Sequence, residues 1–381
     1  MNVLVYGDSE TSPTLRHEVP VAIGDPFLYM ERDGRRAVLT NSLEIDRIAA
    51  DAPELERLLE DEFGRDELIE AGCSRSEIDR ELCVRAVAAL SITDAAVPPE
   101  FPVALADRLR AAGVTLRPDG DLFNERRRRK SDAEMAGIRR AADAAIAAID
   151  AAAAMLRESR IDGDRLLWSG EPLTAEAVRG RIREVCARAG APAPADIMVK
   201  PMGADAQTGH SPGSGPLAAH VPIEIDLWPR DERSGCWADM TRTFVRGEIS
   251  DAIAEIHALV LDAHERVCAS VSAGVQCADL YAVTCEVFEA AGHPTARTKA
   301  SGETLRHGFY FGLGHGVGLE VHEAPHLGRS AKGPLVAGDV IAVEPGTTVP
   351  GVGGTRVEDL LVVGEGGAER LTGSFPYDLV P

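Results

Sequence analysis

Residues 310–326, Tyr310-Phe-Gly-Leu-Gly-His-Gly-Val-Gly-Leu-Glu-Val-His-Glu-Ala-Pro-His326, decide how this chain is read. Glycines at 312, 314, 316 and 318 alternate with Leu313, His315 and Val317. Such a segment is a poor helix and lets its backbone come close to something else. His315 has glycine on both sides, so little shields its ring from a ligand, and His322 follows beside Glu323. Alone, the stretch reads equally well as a glycine-rich loop with two surface histidines. Carboxylates elsewhere tip the balance. Glu344 lies at the end of an apolar run, Val340-Ile-Ala-Val-Glu-Pro-Gly346, and Glu358 in another, Thr355-Arg-Val-Glu-Asp-Leu-Leu-Val-Val363. Upstream, Asp226 ends Ile223-Glu-Ile-Asp226, and Asp239 lies in Trp237-Ala-Asp-Met-Thr-Arg-Thr-Phe244. With His315, these four carboxylates on strand-like runs point to a metal site.

Carboxylates with one imidazole and no thiolate suit hard or borderline divalent ions, Mn²⁺ first, with Co²⁺ or Zn²⁺ as alternatives. Four carboxylates together carry a charge of about −4, which two divalent ions offset; a single ion would leave a costly buried surplus. Period-two alternation puts Arg356 on the face of Glu358, where its guanidinium can hold a ligand carboxylate from behind. A surface arginine on an edge strand is the plainer alternative. Alternation also puts Glu224 and Trp228 on the face of Asp226, with Ile223, Ile225 and Leu227 opposite. Glu224 reads as peripheral or solvated, because the ligand count is already complete. His322-Glu-Ala-Pro-His326 matches the His-Glu-x-x-His pattern of helical zinc sites, in which one helix face carries both histidines. Pro325 falls inside the required turn, so that reading is rejected.

A chain of 381 residues can hold one large or two ordinary domains and bury a core. Its net charge of −21 argues against nucleic acid and anionic membrane surfaces as partners. Of the 40 basic residues only Lys130, Lys200, Lys299 and Lys332 are lysine. Acidic excess with little lysine suits a salt-adapted cytoplasm, although a GC-rich genome gives the same arginine bias. The seven cysteines include no Cys-x-x-Cys pair, which argues against a disulfide framework or zinc ribbon. The amino terminus turns polar after Met1-Asn-Val-Leu-Val, unlike a signal peptide, and no apolar run approaches the roughly 18 residues of a membrane span. A soluble cytoplasmic protein is expected.

Residues 1–125 read as a small α/β domain. Asp33-Gly34 predicts a hairpin between Phe27–Met30 and Ala37–Thr40. Helical stretches are expected around 43–70, 75–90 and 102–112, the last ending at Gly113. This half has no cluster of ligand-type residues, so it supplies shape or assembly. Glu125-Arg-Arg-Arg-Arg-Lys130 reads as a solvated linker rather than a nucleic-acid patch. Residues 131–381 then form the catalytic domain. Ser131-Asp-Ala-Glu134 is a capping box opening a long alanine-rich helix with Met135, Ile138, Ala142, Ile146 and Ile149 inward. A helix over 174–190, a strand at 196–199, a glycine-rich loop over 203–215 with His210, the two aspartate strands, helices at 251–272 and 277–291, and the last strands follow. That order implies an α+β fold with a mostly antiparallel sheet.

Together, Ile225-Asp226, Ala238-Asp-Met-Thr-Arg-Thr-Phe244, Gly314-His-Gly-Val-Gly-Leu-Glu-Val-His-Glu-Ala-Pro325, Val343-Glu-Pro-Gly346 and Arg356-Val-Glu-Asp359 resemble the motifs of the M24 metallopeptidases. That family's pita-bread fold, a curved antiparallel sheet flanked by helices, is shared by Xaa-Pro dipeptidase (prolidase), aminopeptidase P and methionine aminopeptidase. The amino-terminal half resembles, more weakly, the creatinase-type domain of the prolidase-like members. The resemblance implies a dinuclear centre in which Asp239 and Glu358 bridge, Asp226 completes one site, and His315 and Glu344 complete the other. It implies Glu344 as the proton carrier, His322 at the scissile amide and His210 lining the substrate pocket. Hydrolysis of Xaa-Pro bonds in dipeptides or at the amino terminus of short peptides by a metal-bridging hydroxide would follow, as would a homodimer in which the amino-terminal domain borders the partner's active site.

Three features depart from the family: a longer Pro229–Cys236 hairpin, Trp228 where glycine is common, and Phe311 where a further histidine often stands. Two other readings therefore stay open: a C–N hydrolase of a small non-peptide substrate of the creatine or ectoine type, and a non-catalytic homologue that binds proteins. All five ligand positions are filled, which speaks against the last.

Overall fold

Alternating apolar residues give the first strands two buried faces. The computed structural model describes residues 1–206 and 209–381 and divides into two units, Met1–Arg127 and Arg128–Pro381. In the first, a six-stranded mixed sheet runs in the order Glu56–Leu59, Arg35–Thr40, Phe27–Arg32, Val3–Gly7, Asp94–Val97, Thr115–Pro118. Leu4, Leu28, Met30 and Leu39 share one core with the helices Arg75–Ala89 and Val103–Ala111. Val3, Val5, Tyr29 and Val38 face the other way, toward the helices Pro13–Glu18 and Ile45–Asp51. The expected hairpin turns at Asp33 and Gly34, whose φ angles of 53° and 83° are left-handed. The helix expected over 43–70 is instead broken: Ile45–Asp51 is helical, Glu56–Leu59 pairs in parallel with Arg35–Thr40, and Arg65–Glu70 is helical again. Pro53 ends the first helix, because a proline cannot donate the backbone bond that would continue it.

The basic run is not a solvated linker. It lies largely in the helix Gly120–Arg128, where Arg127 and Arg128 are buried and Arg126 makes a two-point ion pair with Glu18 at 2.5 and 3.0 Å.

In the second unit Ser131 caps the helix Asp132–Glu158 with the expected reciprocal bonds to Glu134. That helix and Ala175–Arg188 bury Ala145, Ile149, Val178 and Ile182 against Ile223, Ile225, Leu227 and Phe244. Those residues belong to a three-stranded sheet of Met198–Pro201, Pro222–Leu227 and Met240–Val245. A second sheet, ordered Glu323–Leu327, Gly314–Gly316, Val340–Val343, Asp359–Gly364, Gly367–Arg370, is covered by the helices Asp251–Ser270 and Cys277–Ala290 through Val260, Val267, Leu280 and Phe288. Every strand ladder in this unit is antiparallel among the described residues. The two sheets join where the Glu358 N–H donates to the Thr241 carbonyl at 3.1 Å. Inward-facing side chains from both sheets meet at that join. Glu323–Leu327 is a strand, so the helical zinc reading fails as the sequence argued. Gln207 and Thr208, within the loop expected to carry His210, lie outside the described residues.

Candidate metal centre

Glycine builds the centre's middle strand. A Cβ at Gly314 would strike the Ala342 carbonyl and one at Gly316 the Ala324 carbonyl, so the bare backbone lets both neighbouring strands close on His315. His315 is buried, and its Nδ1 lies 3.1 Å from the Gly316 carbonyl. Donation from Nδ1 fixes the tautomer and leaves the Nε2 lone pair free. Nε2 stands 3.8 Å from Asp239 Oδ2 and 3.6 Å from Glu344 Oε1. Burial, then the neighbouring His322, pushes its pKa down to about 3, so the ring is the neutral ligand form.

The carboxylates arrive from strand ends more than from strand interiors. Asp226 lies within Pro222–Leu227, but Asp239 immediately precedes Met240–Val245, Glu344 immediately follows Val340–Val343, and Glu358 sits between Gly353–Arg356 and Asp359–Gly364. At a strand end a side chain escapes the ladder's strict alternation and can turn toward the join. Asp226 and Asp239 are buried, and Glu358 is only 1% exposed. Three overlapping groups result, in each of which the ligand atoms lie within 4.8 Å of one another: Asp226, Asp239 and Glu358; His315, Glu344 and Glu358; and Asp239, His315 and His322. The first two share Glu358. The third brings within reach of a ligand group a histidine that sequence reasoning kept outside the set.

Burial pushes the Asp226 carboxyl up to about 6 and the Glu344 carboxyl up to about 7, although Arg356 opposes both shifts. Burial and then neighbouring carboxylates raise Asp239 and Glu358 well above the usual range. Asp239 Oδ1 is buried with no hydrogen-bond partner. Such an atom is costly unless something completes it. Four crowded carboxylates, an orphaned oxygen and a neutral imidazole fit divalent cations.

Arg356 is buried, which overturns the surface alternative. Its Nη1 lies 3.3 Å from Asp226 Oδ2 and 3.4 Å from Glu344 Oε2, so it reaches two candidate ligands other than the one whose face it was expected to share. Glu224 is neither peripheral nor solvated: it is 1% exposed, and its Oε1 lies 3.8 Å from Arg356 Nη2. Thr241 and Arg242 escaped sequence reasoning. Thr241 Oγ1 donates to Glu358 Oε2 at 2.7 Å, and Arg242 Nη1 donates to the Glu358 carbonyl at 2.6 Å. The signal was present in Thr241-Arg-Thr243, polar residues inside an otherwise apolar strand.

Two adjoining cavities of about 440 and 460 Å³ share His210, His315, His322, Glu344 and Arg356. One holds Asp226, Asp239, Glu358 and Trp228; the other is walled by Tyr310, Phe311 and His326. His322 and His210 are exposed on the cavity wall. The His322 ring meets the His315 ring edge to face at 4.1 Å. Phe311 takes the Arg356 guanidinium on its ring face at 5.5 Å, a cation–π contact that closes that wall.

Comparison with known proteins agrees with this fold. The sequence profile of metallopeptidase family M24 matches residues 136–365. The Xaa-Pro dipeptidase of Pyrococcus furiosus is 36% identical over 137 residues, a match that spans 35% of this chain and 35% of that relative's length. The fold is that of an Xaa-Pro dipeptidase from Bacillus anthracis, at a TM-score of 0.78 and 23% identity over 100% of this chain and 94% of the other. An X-Pro aminopeptidase from Thermotoga maritima superposes at 0.76 with 22% identity, over 99% and 96%. The fold is thus the pita-bread fold. The chain belongs to metallopeptidase family M24.

Proposed function

We propose that this protein is a dinuclear metallopeptidase that hydrolyses Xaa-Pro bonds in dipeptides or at the amino terminus of short peptides. The observation that carries the reading is the pair of ligand-capable groups sharing Glu358, beside an Asp239 oxygen with no protein partner. Asp226, Asp239 and Glu358 would hold one ion, and His315, Glu344 and Glu358 the other, with Asp239 also reaching the second. Bound there, two divalent ions (Mn²⁺ first, Co²⁺ or Zn²⁺ as alternatives) supply a water of lowered pKa and an electrophile for the substrate carbonyl. Arg356 holds Asp226 and Glu344 in place. Glu344, which lines both cavities, takes a proton from the attacking water and returns it to the leaving nitrogen. Partial desolvation on the cavity wall, then the neighbouring His210 and His326, hold the His322 pKa below its ordinary value, so its ring is neutral at neutral pH and offers one N–H to the developing oxyanion. His210, on the same wall, faces the substrate.

The proline preference rests on the named relative and on chemistry. A proline nitrogen carries no N–H, so a peptidase that must hydrogen-bond there fails on it. The amino-terminal unit, without a ligand cluster of its own, serves assembly in a homodimer, which light scattering checks against a 40.5 kDa monomer. Among the described residues no helix is long and apolar enough to cross a membrane. The reading is tested by stripping the protein of metal, restoring Mn²⁺, Co²⁺ or Zn²⁺ in turn, and assaying Xaa-Pro dipeptides, longer Xaa-Pro peptides and non-proline controls. Metal-dependent release of the residue before proline is expected. Equal turnover of the non-proline controls would remove the proline assignment, and no turnover of any peptide would remove the peptidase.

A further inference from the structure

The basic run 125–130 ends in a buried ion pair. Lys130 Nζ meets Glu323 Oε1, and the two side chains are 3% and 1% exposed. Glu323 directly follows His322. It closes the irregular segment 317–322 by pairing with Gly316 across the strand ladder. Its other oxygen, Oε2, accepts from the Glu320 N–H at 3.3 Å, so one carboxylate ties the segment internally and to Lys130 at once. Gly318 is shaped around this pair: a Cβ there would stand 2.5 Å from Glu323 Oε1 and 2.8 Å from Lys130 Cε. The segment is also tied by backbone bonds, from the Trp237 N–H to the Gly318 carbonyl at 2.8 Å and from the Val317 N–H to the Val340 carbonyl at 2.9 Å, and by the His315 ring at the Val321 backbone. None of these bonds is made by His322 itself.

From this arrangement we infer that Lys130 is a positioning residue, which sets the place of His322 through Glu323. A buried carboxylate whose cation is removed cannot stay where it is at low cost. It protonates or turns toward water, and the backbone it anchors moves with it. His322 carries no regular secondary structure of its own, so its 4.1 Å ring contact with His315 depends on that anchor. Arg128 repeats the device two residues earlier. Its Nε and Nη2 donate to Asp339 Oδ1 and Oδ2 at 2.8 and 2.7 Å, at the foot of the strand Val340–Val343 that leads to Glu344. One short segment thus steadies the approaches to both groups proposed to move protons or hold the oxyanion.

The kinetic part of this inference rests on the peptidase reading of His322, so the test carries a second readout that does not. In Lys130→Met and Glu323→Gln, metal content per chain stays at the parent value. Their kcat falls about ten- to a hundredfold, the scale on which a misplacement of about 1 Å acts, while KM moves less. Lys130→Arg, which keeps the charge, recovers most of the rate. Val178→Ala, in the core of the other sheet, matches the stability loss without the kcat loss. In metal-free protein with ¹⁵N-labelled histidine, the ring resonances of His322 shift in Lys130→Met and those of His257 and His264 do not. If Lys130→Met does not fold, Glu323→Gln and Lys130→Arg carry the same comparison. The inference is overturned if the charge-removing variants lose stability with kcat equal to the Val178→Ala control, or if the His322 ring signals stay in place. If the parent protein hydrolyses no peptide, the peptidase reading fails and the ring signals still decide the role of Lys130.

Discussion

At the level of single residues, His322 and Glu358 separate chemistry from metal binding. Glu358 belongs to two of the three ligand-capable groups, and Thr241 and the backbone at the sheet join hold it. Glu358→Ala should therefore lose metal. His322 belongs to only one group and stands exposed on the cavity wall, where an oxyanion donor is needed. His322→Ala should keep its metal and lose about a hundredfold or more in kcat, the scale of removing one oxyanion donor. Metal analysis alongside steady-state kinetics on both variants checks this. Equal metal loss in the two would make His322 a ligand, an outcome its place beside Asp239 and His315 makes informative. A variant with altered stability and intact kcat would reduce His322 to loop support.

Among the elements, the link between the sheets is held by a network that only the fold assembles. Asp359, wholly buried, accepts from Arg242 Nη2 at 2.8 Å, Thr372 Oγ1 at 3.0 Å and Tyr377 Oη at 2.5 Å. Burial would raise its carboxyl, but Arg242 and then His264 hold it below the usual range. Because Arg242 also grips the Glu358 carbonyl, the segment 372–377 braces the element that carries a proposed ligand. Tyr377→Phe removes one bond to a buried carboxylate and should lower the unfolding free energy by about 1.5–3 kcal/mol. Urea unfolding measures it, and a loss below about 0.5 kcal/mol, the scale of ordinary surface changes, would detach Tyr377 from the brace. The pairing was not legible in the sequence, because nothing local joins Arg242 to a carboxylate 117 positions away. The burial of Arg128 and Lys130 is hidden from the sequence for the same reason: their partners stand 211 and 193 positions away. What was legible was local chemistry: the Asp33-Gly34 turn, the Ser131 capping box, and the alternation of Ile223, Ile225 and Leu227 toward the core. The five candidate ligands were legible as residue types in motif context. Their placement at strand ends was not, since periodicity locates strands better than it locates where they stop.

For the whole molecule, the same crowding that suits two cations makes the metal-free protein sensitive to pH. Free Asp and Glu titrate near 4, whereas in the folded, metal-free site Asp226 titrates at about 6 and Glu344 at about 7. Between those values the folded site binds more protons than the unfolded chain. The stability contributed by these groups is therefore fully present below about pH 4 and is lost as pH rises through 6 and 7. Metal binding runs the other way: the ligands must be deprotonated, so affinity rises over the same interval. The loaded and chelated proteins share every titrating group outside the site, and the difference between their melting temperatures isolates the site itself. That difference should be small near pH 5 and widen toward pH 8, because each tenfold gain in affinity above saturation adds about 1.4 kcal/mol to the loaded form. Paired thermal scans with and without a strong chelator, at fixed ionic strength and fixed free metal, measure it. A gap that stayed constant across that range would mean that metal does not displace protons from these carboxylates, and the two-ion assignment would fall with it.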